Sequence, residues 1–259
     1  MKIFYFTATG NSLSIAKEIG GELISIPQAI QKGQYEYEDD VIGFVFPTYC
    51  CYPPKIVREF LAKAKLKANY KFAIATYGNT MGKGGDGSEM IEFGKLASAA
   101  GHKFQYLNSI LMVDNFVDTF DIAKEIEKIP SKKIDENLAI IKGDIKARKN
   151  YVKDPGFMGK VISKLCKPLV KGQDKGERAK KFIVNDHCIG CGICSKVCPM
   201  GNIAVDKVPN FSNKCAACYA CLHACPHNAI HLKNERSAVR FRNENVTIKE
   251  IIEANNCLN

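Results

Sequence analysis

Twelve cysteines occur in the 259 residues, and eight of them fall in two tight runs toward the C-terminal end. Cys188, Cys191, Cys194 and Cys198 form one run, closed by Pro199. Cys215, Cys218, Cys221 and Cys225 repeat its spacing, closed by Pro226. Both read C-x₂-C-x₂-C-x₃-C-P. Thiolates are soft ligands, and several on one loop suit the irons of an iron–sulfur cluster. The small residues between them (Gly190, Gly192, Ala216, Ala217, Ala220) let backbone N–H groups approach the sulfides and stabilise negative charge. Structural zinc also takes four thiolates. It usually spaces two cysteine pairs well apart, however, and needs no third cysteine at the next step followed by Cys-Pro. Eight thiols without a ligand would be an oxidation hazard. Cys50, Cys51, Cys166 and Cys257 lack such spacing, and Cys166 and Cys257 read as ordinary apolar positions.

The two runs resemble those of bacterial two-cluster ferredoxins. That resemblance implies two [4Fe–4S] clusters, each held by three cysteines of one run and the fourth of the other. On that rule Cys188, Cys191, Cys194 and Cys225 hold one cluster, and Cys215, Cys218, Cys221 and Cys198 hold the other. His187, His223 and His227 flank these cysteines, where a histidine tunes potential or solvation rather than ligating.

The elements in the first half alternate between strand and helix patterns. Lys2–Phe6, Leu23–Ile26, Val41–Phe46, Phe72–Tyr77 and Phe104–Val113 read as buried strands. Helices are expected through Ile15, Ala16 and Ile19, over Lys55–Lys65 and over Ser88–Ala100. Alternation of this kind argues for a doubly wound, five-stranded parallel α/β sheet, with ligands beyond the C-terminal strand ends. The residues at those ends are Thr7, Ala8, Thr9, Gly10, Asn11 and Ser12, then Pro47, Thr48, Tyr49, Cys50 and Tyr52, then Thr76, Tyr77, Gly78 and Asn79. Hydroxyls and free N–H groups at a helix N-terminus make a phosphate cradle without Lys or Arg. Phosphate there, with aromatic and backbone contacts from the other loops, suits flavin mononucleotide (FMN). A ligand-free Ser/Thr cap is the simpler alternative.

The Thr-x-Thr-Gly-Asn-Ser loop resembles the phosphate loop of the flavodoxin family, over about residues 1–123. Many flavodoxins carry a Gly in the second loop, whose peptide flips to bond the half-reduced flavin. Residues 47–54 contain no Gly, and a flip to positive φ is costly for other residues. The half-reduced flavin is therefore expected to be poorly stabilised. Gly82–Gly87 matches G-x-G-x-x-G, but the first Gly lies five residues beyond Tyr77 and no Asp or Glu occurs between Glu92 and Asp114. That argues against a nicotinamide site. The stretch reads instead as part of the third flavin loop, with Gly84 and Gly85 near the ligand.

The net charge of +10 is local. Residues 1–123 carry a net −1, residues 124–181 a net +9 and residues 182–259 a net +2. Two negatively charged cluster sites and a flavin phosphate would bring the total to about +4, so no nucleic-acid partner is expected. In 156–171, Phe157, Val161, Ile162, Leu165 and Leu169 recur at helical spacing beside Lys160, Lys164, Lys167 and Lys171. The simpler reading is a connecting helix that packs its apolar residues on a neighbouring module. The secondary one is contact with a membrane surface or an acidic partner. No apolar run approaches the ~18–20 residues of a membrane span, and the first residues do not form a signal peptide. A cytoplasmic protein is expected.

The whole order resembles the flavodoxin–ferredoxin fusion proteins of anaerobic bacteria and archaea. It divides as 1–123 flavodoxin-like, 124–181 basic helical linker, 182–235 small α+β two-cluster ferredoxin-like and 236–259 C-terminal extension. The resemblance implies an electron-transfer flavoprotein with FMN and two [4Fe–4S] clusters, exchanging electrons with redox partner proteins. The alternative is an FMN-dependent reductase of a small substrate such as a quinone, fed by the clusters. A redox or iron sensor would need an output domain, and none is visible.

Overall fold

The computed structural model describes residues 1–79 and 87–257. In chain order the first part runs β1 (Lys2–Tyr5), α1 (Asn11–Ile19), β2 (Glu22–Ser25), α2 (Ile26–Gln31), β3 (Glu36–Glu38), β4 (Val41–Pro47), α3 (Lys55–Lys63), β5 (Lys65–Lys67), β6 (Tyr70–Tyr77), α4 (Ser88–Ala99) and β7 (Tyr106–Leu111). β4 and β6 are near-continuous apolar runs, the pattern of strands covered on both faces. They lie at the centre of a parallel sheet in the order β2-β1-β4-β6-β7, with an interlocked aromatic core of Phe4, Phe44, Phe60, Phe93 and Phe104. β3 and β5 form a separate parallel pair.

The next segment differs from the expected linker. It contains α5 (Ile122–Glu127), α6 (Ile134–Lys146), β8 (Tyr151–Val152) and α7 (Gly156–Gln173). α6 buries Leu138, Ile141 and Ile145. β8 pairs with β7 and makes a sixth parallel strand. A two-residue strand leaves no periodic trace in sequence, so only the pairing reveals it. α7 buries a row of mostly small side chains, Gly159, Ser163, Cys166 and Val170. Of the apolar residues expected to pack, Val161 and Ile162 are half-buried, Ile162 against Tyr52, Cys166 and Val170, while Phe157 at 80%, Leu165 at 71% and Leu169 are exposed.

The C-terminal part comprises β9 (Phe182–Val184), α8 (Ile193–Lys196), β10 (Ile203–Val205), β11 (Pro209–Phe211), α9 (Ala220–His223), β12 (Ile230–Leu232) and α10 (Ile248–Asn255). β9 pairs with β12 and β10 with β11, both antiparallel, so each cysteine run follows one arm of a pair and precedes the next. α10, opened by a Thr247–Glu250 capping box, returns to the first body. There Lys17 pairs with Glu250 at 2.7 Å, and Ser25 Oγ donates to the Ala254 carbonyl at 2.5 Å. The fully buried Asn255 amide donates to the Thr7 carbonyl at 2.9 Å and the Val197 carbonyl at 3.3 Å. One side chain thus fastens the loop after β1 to the end of the first cysteine run.

Candidate cofactor cavity and cysteine cages

A cavity of about 670 Å³ opens at the C-terminal ends of β1, β4, β6 and β7. Its floor is made by the loops that follow those strands. Gly10 sits at the N-terminus of α1 with φ 100°, and no side chain caps that helix. A Cβ there would lie 3.0 Å from the Cβ atoms of both Asn243 and Val246, so the loop is backed closely by the C-terminal extension. The Gly10 N–H donates to Thr7 Oγ1 at 3.1 Å, Asn115 Nδ2 donates to Thr9 Oγ1 at 3.0 Å, and Ser12 and Thr76 share a hydroxyl hydrogen bond at 2.8 Å. The uncapped helix end and the four hydroxyls leave a donor-rich concavity fit for an anion.

The second loop makes a tight turn, in which Tyr49 and Tyr52 exchange backbone hydrogen bonds at 2.9 and 3.0 Å. Cys50 and Cys51 occupy the left-handed region at φ 48° and 64°. The positive φ that the missing Gly argued against is therefore already present, held by the turn. Thr48 Oγ1 and the Tyr49 hydroxyl are buried without a hydrogen-bond partner. Orphaned buried polar atoms in a cavity wall mark positions where a ligand supplies the partner. The residues therefore fit a phosphorylated, hydrogen-bonding aromatic cofactor. Beyond the third loop, the buried Lys132 ammonium donates to the Gly78 carbonyl at 3.0 Å and to Glu125 at 3.3 Å. Burial pushes the Asp114 carboxyl up to about 6, and its Oδ1 accepts the Phe116 N–H at 2.9 Å.

The opposite wall comes from elsewhere in the chain: Leu169 and Gln173 of α7, then Arg178 and Lys181, and Ala217 from within the second cysteine run. Arg178 Nε donates to the Tyr219 hydroxyl at 2.7 Å, and that hydroxyl donates to Asp118 at 2.5 Å. Arg178 also pairs with Asp118 and lies over the Phe116 ring, 5.4 Å from its centroid. Gln173 Nε2 lies 3.2 Å from the Cys50 sulfur. The Cys51 and Cys166 sulfurs approach to 3.9 Å, and burial pushes the Cys166 thiol up to about 12, the mark of an unreactive thiol.

The cysteines gather in two cages. Cys188, Cys191, Cys194 and Cys225 line one small cavity, with Ile189 and Pro226 among its other walls. Burial, then the neighbouring Cys191, Cys225 and Cys188, push Cys194 up to about 11. Cys221 is raised by burial and then by Cys218, Cys198 and Cys215, the other expected set. Burial of this kind disfavours bare thiolates, and iron held there would supply the compensating positive charge. Backbone N–H groups of Asn202, Ala217 and Ala229 point at the sulfurs of Cys198, Cys215 and Cys225 at 3.3, 3.4 and 3.2 Å. Gly190 and Gly192 supply positive φ in the first run, while Ala217 (54°) and Tyr219 (58°) adopt it at the matching places in the second. Cys191 is exposed, whereas Cys218 and Cys221 are buried. The first cage therefore faces solvent and the second faces the interior.

Most of the expected cofactor residues meet at the cavity: Thr7, Ala8, Thr9, Asn11, Ser12, Pro47, Thr48, Tyr49, Cys50, Thr76, Tyr77, Gly78 and Asn79. Tyr52 does not. Its ring packs with Cys166 and Val170, and its hydroxyl lies 3.4 Å from the Ser163 carbonyl. Cys51 lines the wall instead, following Tyr49 and Cys50, and the turn carries only Tyr52 away from the cavity. Gly84 and Gly85 lie outside the described residues. The loop after β7, including Asp114, Phe116 and Asp118, was missed. Its position beyond a C-terminal strand end was the available signal. Arg178 carried no local signal at all.

Residues 187–230 match the family model of the 4Fe-4S dicluster domain. Over 67 residues the chain is 40% identical to one subunit of the ion-translocating oxidoreductase complex of Methanosarcina acetivorans. That match covers 25% of this chain and 25% of the relative, so the chain spans about a quarter of the relative it matches. Among solved structures, the Trp repressor binding protein from Bacillus subtilis aligns over 43% of this chain and 83% of its own, at 14% identity and a TM-score of 0.32, too slight to bear on the fold. The protein thus joins a 4Fe–4S ferredoxin-like domain to a parallel-sheet α/β core. Iron–sulfur electron transfer is the class of chemistry its C-terminal domain supports.

Proposed function

We propose that this protein is an iron–sulfur flavoprotein that carries electrons between a redox partner and FMN held in the large cavity, by way of two [4Fe–4S] clusters. One cluster is assigned to Cys188, Cys191, Cys194 and Cys225, and the other to Cys198, Cys215, Cys218 and Cys221. The observation that carries the reading is the position of Ala217. This residue lies between two cysteines of the second cage and forms part of the cavity wall. The strand order around β1 supports a flavodoxin-like reading of the α/β core.

The residues then have distinct tasks. The exposed first cage admits electrons from outside, and the buried second cage relays them to the cavity. The α1 end, with Thr7, Thr9 and Ser12, holds a phosphate, and Thr48 and Tyr49 offer hydroxyls toward the rest of the ligand. FMN, when bound, supplies the conversion between single-electron and two-electron transfer. The Asn202, Ala217 and Ala229 N–H groups stabilise negative charge on the cluster sulfurs and raise their potential. A second reading, reduction of a small substrate in the same cavity, is favoured by the apolar side chains of Phe116, Phe120 and Leu169 in its lining.

Anaerobic purification with iron, sulfide and flavin analysis tests the proposal, and EPR of the reduced protein identifies the clusters. The expected result is one flavin and about eight irons per chain. A flavin-free protein loaded with zinc overturns it.

A further inference from the structure

At 3.6 residues per turn α7 carries three stripes. Gly159, Ser163, Cys166 and Val170 face the protein and are buried. Lys160, Lys164, Lys167 and Lys171 form a second, exposed row. Met158, Leu165 and Leu169 form the third, exposed at 59, 71 and 61%, and Phe157, exposed at 80%, lies in the first turn on the outward edge between that stripe and the lysines. An apolar row this exposed on an 18-residue helix is unusual for a surface that meets only water. Gly156–Gln173 contains no Asp or Glu. The helix is about 27 Å long, and among the described residues no helix is long and apolar enough to cross a membrane.

We propose that α7 lies flat on an anionic lipid bilayer, with Phe157, Met158, Leu165 and Leu169 among the acyl chains and the lysine row against lipid phosphates. The arrangement is that of an interfacial helix, with an apolar face to enter the bilayer and a bordering cationic face to hold the surface. A second copy of this chain fits the face poorly, because pairing would bring two lysine rows, from a segment of net charge +9, against each other. An acidic protein would satisfy the lysines but would have to be apolar along the whole length of the helix as well. Leu169 belongs both to the exposed row and to the cavity wall. The lipid-facing side therefore reaches the rim of the cavity, and the membrane-bound protein holds that rim at the bilayer surface.

Flotation of the intact, cluster-loaded protein with phosphatidylcholine vesicles, with and without phosphatidylglycerol, tests the proposal. Binding is expected only to the anionic vesicles, weakening as salt rises. The Phe157→Asp/Leu165→Asp variant should lose at least about tenfold in partitioning. The Lys164→Ala/Lys167→Ala variant should lose about tenfold or more, since each lysine near the surface contributes about fivefold. All four positions are exposed, so unchanged visible cluster absorbance will report an intact fold. Failure to float with anionic vesicles at low salt, or equal flotation of the aspartate variant, overturns the proposal. So does a dimer that the aspartate variant dissolves while no lipid binding is seen.

Discussion

The Tyr219 hydroxyl donates to Asp118 at 2.5 Å, joining the second cysteine run to the loop beyond β7. Tyr219 holds a left-handed backbone at φ 58° to do so, at a place where the first run uses Gly192. A non-Gly residue in that region costs about 1–2 kcal/mol. The cost is offset by the hydroxyl bond, by Arg178 and by edge-on packing against Phe116 and Phe182. The contact couples the two bodies at the point where the cage meets the cavity.

Tyr219→Phe keeps the ring and removes the hydroxyl. Denaturant unfolding is expected to show a loss of about 1–2 kcal/mol. Asp118→Ala strands both Arg178 and the tyrosine hydroxyl and should cost more, about 2–3 kcal/mol. Equal stability of both variants and the parent would show that the two bodies are held together elsewhere.

Gly10→Ala should act on the first loop from behind the cavity. The new methyl meets Asn243 and Val246 at 3.0 Å and imposes strain at φ 100°. Flavin retention on gel filtration is expected to fall at least about tenfold while iron content is kept, because the cages lie elsewhere. Full flavin retention would count against a phosphate on this loop.

The crossover of ligands is tested by single substitutions. Cys225→Ser removes a thiol from the cage lined otherwise by Cys188, Cys191 and Cys194. Iron should fall from about eight to about four per chain, and the spectrum of the surviving cluster should match that left by Cys188→Ser. A spectrum matching Cys215→Ser instead would place Cys225 in the cage of its own run.

Asp114 gives a pH dependence with a definite sign. Burial lifts its folded-state value from 3.8 to about 6, so between those limits the folded protein binds the extra proton. Its contribution to stability therefore falls as pH rises through that window and remains unfavourable above it. Asp114→Asn should remove this term, so its stability advantage over the parent should grow from pH 4 to pH 6 and then level off. An advantage that shrinks over the same range would contradict the assignment.

The cysteine spacing alone predicted the iron–sulfur domain, since ligands carried on one short loop are close in space whatever the rest of the chain does. The strands through Phe104–Val113 were also legible, because runs buried on both faces show as continuous apolar segments. The cavity's first three walls followed from the positions of the strand ends. Other features needed the folded chain. β8 is too short to show a period, and Arg178 reaches Asp118 across 60 positions of sequence. The turn at Tyr49–Tyr52 decides that Cys51 faces the cavity and Tyr52 does not. α7 was legible as a helix, but its spacing could not say which of its rows is buried. Small residues at Gly159, Ser163 and Cys166 allow close approach, and that approach leaves the larger apolar row outside.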